Sequence, residues 1–248
     1  MTDLSGRDRV PGARWVALFH AAPPPVQRAL LSVGRRAPGR SVRWGNMRRL
    51  RPFSDRYGYD RGTPVDRYYI ERFLSEHAGR IRGDVLEVKD AHYTRRFGDG
   101  ARPHVVDLDS GNPAADLHAD LNVPGSLPAE RFDCVILTQV LQFLSPETAL
   151  ANLWASIAPG GALLLTVPSL GRLDPHGHAT DRWRWTPNGL AELLRRVGIP
   201  ASVSGYGNVL GCVCALWGLS VEELSPEELD FADPRFPLVA CAHAQKPG

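Results

Sequence analysis

From Thr63 onward the chain alternates between short apolar runs and stretches in which apolar residues recur every three to four positions. Pro64 opens a predicted helix over 65–77, with Ile70, Phe73 and Leu74 on one face. Strands are predicted at 84–88, 104–108 and 115–118, and 132–138 reads as a fully buried strand. A helix over 146–157 is expected to end at Pro159-Gly160-Gly161, ahead of a buried strand at 162–167. A long loop, 168–186, leads to a helix over 187–197, and strands at 201–206 and 238–243 complete the pattern. Apolar strands alternating with helices predict an α/β fold, a mostly parallel sheet covered on both faces. The last two strands lie close enough to predict an antiparallel edge pair. No internal repeat is visible.

Composition divides the chain in two. Residues 1–60 hold twelve arginines against four acids, Asp3, Asp8, Asp55 and Asp60. Helical spacing (Trp15, Leu18, Phe19, then Val26 and Leu30) flanks a break at Pro23-Pro24-Pro25. This segment is expected to form a basic arm or lid, or a homodimer contact, with 61–248 as the main domain. Base-stacking aromatics are not interleaved with the arginines, and the net charge is only +2, so no nucleic-acid partner is expected. Of 29 Lys+Arg only Lys89 and Lys246 are lysine. Cys134, Cys212, Cys214 and Cys241 lie in apolar runs without CxxC spacing and read as reduced core residues. No apolar run approaches the roughly 18 residues of a membrane span, and no signal peptide opens the chain. A cytoplasmic protein with no membrane partner is the expectation.

The chemistry concentrates in two places. Residues 84–90 read Asp-Val-Leu-Glu-Val-Lys-Asp: an apolar strand with an acid inside it, where a glycine-rich turn should follow and Lys89 stands instead. Glu87, near the strand's carboxyl end, faces the crevice where open α/β sheets bind ligands, or else is a buried acid satisfied by backbone amides. The loop 168–186 carries Asp174, His176, His178, Asp181, Trp183 and Trp185, and its length marks it as an acceptor-side candidate. A histidine of near-neutral pKa there suits proton removal, so His176, His178 and Asp181 are the candidate catalytic residues. His-Gly-His spacing without a clear third ligand argues against a metal.

The run 132–161 carries a resemblance. A strand opening Phe-Asp and continuing Thr-Gln-Val-Leu-Gln-Phe, then a helix, then Ala-Pro-Gly-Gly-Ala-Leu-Leu-Leu-Thr-Val-Pro, resembles class I S-adenosylmethionine (SAM)-dependent methyltransferases. Gly62-Thr-Pro-Val-Asp-Arg-Tyr-Tyr-Ile-Glu-Arg-Phe-Leu74, Thr94-Arg-Arg-Phe-Gly98, Gly111-Asn-Pro113 and Asp181-Arg-Trp-Arg-Trp-Thr-Pro187 are similar to a bacterial methyltransferase type 11-like group, whose members often accompany glycosyltransferases or natural-product clusters. The resemblance covers about 60–245 and implies a Rossmann-like, mostly parallel seven-stranded sheet. It implies SAM as cofactor and a small-molecule hydroxyl or amine as acceptor. By position it assigns Glu87, Val88 and Lys89 to the first-strand turn. Asp107 falls to the ribose hydroxyls, with Asp109 as its rival, and Asp120 and Leu121 to adenine. Thr138, Gln139 and Phe143 fall beside the adenosyl group. Tyr68 or Tyr69 is expected to close over the cofactor, Arg61 or Arg67 to hold the methionine carboxylate, and Tyr206 and Asn208 to complete the acceptor wall. Because Lys89 departs from the glycine-rich turn, a methyltransferase fold turned to non-methylating chemistry, such as cyclisation or rearrangement, or a non-catalytic partner subunit, is the alternative.

Overall fold

The computed structural model describes residues 18–36, 45–174 and 179–248. It forms two compact units, Met1–Leu50 and Arg51–Gly248. In the first unit, Pro24 and Pro25 do not only break a helix. They start the next one, Pro24–Arg36, whose first turn needs no N–H from them. The Gln27 side-chain amide donates to the Ala22 carbonyl at 2.7 Å across the break. Among the described residues, no helix is long and apolar enough to cross a membrane.

The second unit is built on a seven-stranded sheet in the order β3-β2-β1-β4-β5-β7-β6. The strands are β1 (Asp84–Val88), β2 (Arg102–Asp107), β3 (Leu117–His118), β4 (Phe132–Thr138), β5 (Ile157–Pro168), β6 (Ala201–Tyr206) and β7 (Val239–Gln245). β1 to β5 are mutually parallel; β7 runs antiparallel between β5 and β6. This is the Rossmann-like, mostly parallel α/β arrangement expected.

Alternation along the strands sends side chains to two cores. Leu86, Val135, Leu137, Leu163 and Leu165 face one side, against Leu150 and Leu153 of the helix Pro146–Ser156 and Leu190 and Leu194 of the helix Pro187–Arg196. Val85, Cys134, Ile136, Leu164 and Cys241 face the other, against Ile70, Phe73 and Leu74 of the helix Val65–Glu76. Cys212 and Cys214 join that second core from the helix Val209–Trp217. Each fully buried Leu, Ile or Phe contributes roughly 1.5–3 kcal/mol, so the two-sided burial holds the sheet centre and leaves its carboxyl edge as the place for a cleft.

Two expectations change. Pro159-Gly160-Gly161 does not end the helix, which stops at Ser156; it lies inside β5, where the pairing with β4 shifts register between Phe132 and Cys134. A side chain at Gly161 would meet the Asp133 carbonyl oxygen at 2.9 Å, so the close strand approach requires glycine. The helices His92–Phe97, Val209–Trp217 and Pro226–Asp230 were not anticipated from the sequence.

Residues 51–64 form a strap fastened to 217–223. The Phe53 and Ser54 N–H groups donate to the Trp217 carbonyl, Val221 N–H donates to the Thr63 carbonyl, and Glu222 accepts from the Thr63 N–H and hydroxyl. Arg61 pairs with Glu223, whose carboxyl it holds down at about 2. A depressed carboxylate contributes stability above its unfolded value, about 4.3, and loses it as the pH falls toward 2. Amide exchange at Val221, corrected for the intrinsic rate, is therefore expected to quicken between about pH 4.5 and 2. In Arg61→Ala the protection is already reduced at pH 5 and that acid step disappears; an unchanged step would mean the pair does not fasten the strap.

Candidate active site

Two cavities open at the carboxyl edge of the sheet. The larger, about 780 Å³, is lined by Val88 and Lys89 from the end of β1, Asp107 from β2, Thr138 and Gln139 from β4, and Phe143 beyond it. The smaller, about 180 Å³, lies beside it, lined by Asp66, Gln142, Asp181 and Tyr57 among others. Tyr59, Arg67, Gln139, Phe143 and Asp174 line both.

The turn after β1 keeps a glycine-like conformation without glycine. Lys89 has φ +75°, its N–H donates to the Val106 carbonyl at 2.9 Å, and its carbonyl accepts from the Asn112 side-chain amide at 2.7 Å. Its exposed side chain lines the larger cavity. Left-handed backbone costs an L-residue roughly 1–2 kcal/mol, against roughly 0.5–1 kcal/mol for glycine's extra entropy. Of the four non-glycine residues with left-handed φ among the described residues, three (Tyr57, Lys89 and Gln139) line these cavities. Strain of this kind persists where surrounding structure fixes it, and it gathers at functional sites.

Glu87 is among the residues lining the larger cavity, and its carboxylate is also satisfied by the amides that follow β1. It is buried, and its carboxylate accepts from the Tyr93 N–H at 3.0 Å and from the Thr94 N–H and hydroxyl, both at 2.8 Å. Burial raises its pKa, with these hydrogen bonds opposing. It anchors the helix His92–Phe97 under the turn.

At the end of β2 the structure separates the two aspartates. Asp107 lines the larger cavity, and Asp109 is turned to its own loop, accepting from Gly111 N–H. Asp107 accepts from Asp109 N–H at 3.0 Å and from the Asn112 side chain at 2.7 Å. Burial works to raise its pKa, but those hydrogen bonds and the nearby Lys89 ammonium bring it below the ordinary value. Its carboxylate is therefore ionised and available as an acceptor.

Several expected site residues stand elsewhere. Asp120 closes a turn by accepting from both the Asn122 N–H and side-chain amide, and Leu121 is buried in the core; neither lines either of these two cavities. Tyr68 donates to Asp230 at 2.7 Å on the outer side of its helix, and Tyr69 is core. The tyrosines over the crevice are Tyr57 and Tyr59 of the strap. Asp181 lines the smaller cavity but is braced by Arg184 at 2.5 Å and the Asp174 N–H. The Arg184 guanidinium holds its carboxyl below the ordinary range, which makes it a weak proton acceptor. His176 and His178 lie outside the described residues. Tyr206 donates to Glu76 and Asn208 caps the helix Val209–Trp217, and neither lines either of these two cavities.

Of the two arginines, Arg61 belongs to the strap, whereas Arg67 lines both cavities. Its contacts there are hydroxyls, Tyr93 at 2.8 Å and Tyr59 at 3.2 Å, and among the described residues no carboxylate lies within ion-pair distance. A half-buried guanidinium with phenolic partners remains able to receive an anion.

No protein-family model matches the chain, and no curated protein matches it. Among solved structures it is similar to a 1,6-didemethyltoxoflavin-N1-methyltransferase from Burkholderia thailandensis with bound 1,6-didemethyltoxoflavin and S-adenosylhomocysteine (20% identity, 92% of each chain, TM-score 0.49). It is also similar to a SAM-dependent methyltransferase from Archaeoglobus fulgidus (15% identity, 73% of this chain and 94% of that one, TM-score 0.48). A third, from Mesorhizobium loti, is 13% identical over 73% of this chain and 98% of that one, with a TM-score of 0.48. At such scores the function has to be argued from the chain's own cavities.

Proposed function

We propose that this chain is a SAM-dependent methyltransferase acting on a hydroxyl or amine of a small natural-product or sugar-like molecule. The observation that carries the reading is the Asp107 carboxylate, facing the larger cavity beside a left-handed turn at Lys89. An open α/β sheet binds nucleoside-like ligands at this edge, and a carboxylate ending the second strand suits a ribose diol. The residues present fit the cofactor. Asp107 would accept from the ribose hydroxyls, Arg67 would pair with the methionine carboxylate, and Phe143 would pack on the adenosyl group. When bound, the sulfonium supplies an already activated methyl group, so the protein's part is alignment and exclusion of water. Tyr57 and Tyr59, held by the strap, serve that exclusion.

Calorimetric titration with SAM and S-adenosylhomocysteine, alongside a radiolabelled methyl-transfer assay, tests the reading. Saturable binding of both supports it; absence of binding removes it. The side chain at Lys89 is the one feature that favours non-methylating chemistry in the same cavity, and Lys89→Gly decides between the two. With the methyltransferase reading, the variant gains about 1 kcal/mol of stability, or about 2–4 °C in Tm, and keeps SAM binding and turnover. Lost methyl transfer with binding retained would assign the ammonium a role in that transfer, whereas a wild type that binds SAM and transfers no methyl would overturn the reading.

A further inference from the structure

The first compact unit and the rest of the chain carry opposite charges. Within a total of +2, residues 1–50 hold ten arginines against two acids, Asp3 and Asp8, which leaves +8 there and −6 on residues 51–248. No acid stands anywhere from position 9 to position 54. The helix Pro24–Arg36 runs through this basic stretch. Val26, Leu30 and Val33, spaced i, i+4 and i+7, fall with Ala29 on one face, and Arg28 and Ser32 fall on the opposite side. Leu31 is off this stripe. The stripe is uncovered: Val26 is 46%, Leu30 54% and Val33 71% exposed. Single exposed apolar residues are ordinary, but a row of them along one helix face marks a surface for a partner.

We propose that this first unit docks on an anionic phospholipid surface, with the Val26–Leu30–Val33 stripe seated below the headgroups and the arginines among the phosphates. Charge and shape select this partner over its rivals. A nucleic acid neutralises the arginines but leaves the apolar stripe in water. A second copy brings +8 against +8. A protein surface carries both signs, so a patch complementary to one would hold acids as well as arginines, and this stretch holds none. An anionic bilayer is uniformly negative at its face and apolar beneath, and it satisfies both features at once. The same surface repels the −6 of residues 51–248, which confines the contact to the first unit. The expectation of no membrane partner rested on the lack of an apolar span; a helix lying in the plane of the interface needs none. The proposal stands apart from the methyl-transfer reading and does not depend on it.

Co-sedimentation of the full chain with lipid vesicles tests this. Vesicles of phosphatidylcholine with about 30% phosphatidylglycerol are expected to bind it about tenfold or more tightly than phosphatidylcholine alone at about 0.1 M salt, and the difference should shrink as salt rises to about 0.5 M. Leu30→Gln combined with Val33→Gln removes the stripe and should lower binding about tenfold or more. Both positions are exposed, so Tm should not move. Arg28→Gln keeps the stripe and should lower binding about fivefold, the effect of one cation at such a surface. Equal binding to neutral and anionic vesicles overturns the role of the arginines. Full binding by the double variant overturns the stripe as the contact. Absence of binding to either vesicle overturns the proposal outright, and tight binding to a DNA duplex in that case assigns the charge to nucleic acid instead.

Discussion

Asp107→Ala is expected to weaken SAM binding by about 1.5–3 kcal/mol, roughly 10- to 150-fold, the scale of hydrogen bonds made by a charged group. Two features sharpen the expectation. Asp107 is held by Asn112 and by the Asp109 N–H, so its carboxylate is oriented before a ligand arrives. Asp109→Ala, which alters only a surface turn, should change affinity by less than about threefold. Asn112→Ala separates orientation from contact: it frees both the Asp107 carboxylate and the Lys89 carbonyl, and should give an intermediate loss. Calorimetry on the three variants measures all of this. Full affinity in Asp107→Ala would discard the ribose role.

The second large effect is on stability. Glu87→Ala strands the Tyr93 and Thr94 N–H groups and the Thr94 hydroxyl in a buried place. Loss of charge-assisted hydrogen bonds with unpaired donors left behind should cost about 3 kcal/mol or more, which lowers Tm by about 6–12 °C for a domain of this size. The helix His92–Phe97 should lose amide protection first, because Glu87 is what ties its start to β1. A Tm within about 2 °C of wild type would mean water replaces the carboxylate without difficulty.

Much of the sheet was legible because its strands are short apolar runs with definite ends, and β1, β4 and β6 match the sequence reading to the residue. The place of Pro159-Gly160-Gly161 was not, since whether such a triplet ends a helix or bulges a strand depends on neighbours such as the Asp133 carbonyl and the Lys246 carbonyl, which bonds Gly160 N–H. The helix Val209–Trp217 is too uniformly apolar to show a period. At the site, Asp107, Lys89, Gln139 and Phe143 followed from strand ends. Tyr57 and Tyr59 did not, because contacts such as Thr63 to Glu222, 159 residues apart, place the strap that carries them. Asp66 was not singled out in the sequence; only the fold shows that it borders a cavity.

The antiparallel position of β7 governs the order in which the sheet can be completed. β6 pairs only with β7, and β7 alone joins it to β5. Until residues 239–245 leave the ribosome, the segment 201–206 has no strand to pair with and one side of β5 is bare. The five parallel strands, β1 to β5, can assemble earlier, whereas the flank behind the smaller cavity, which includes Leu238 and Val239, waits for residues 238–245. A chain stopped before Val239 would carry an unpaired β5 edge open to association with other chains.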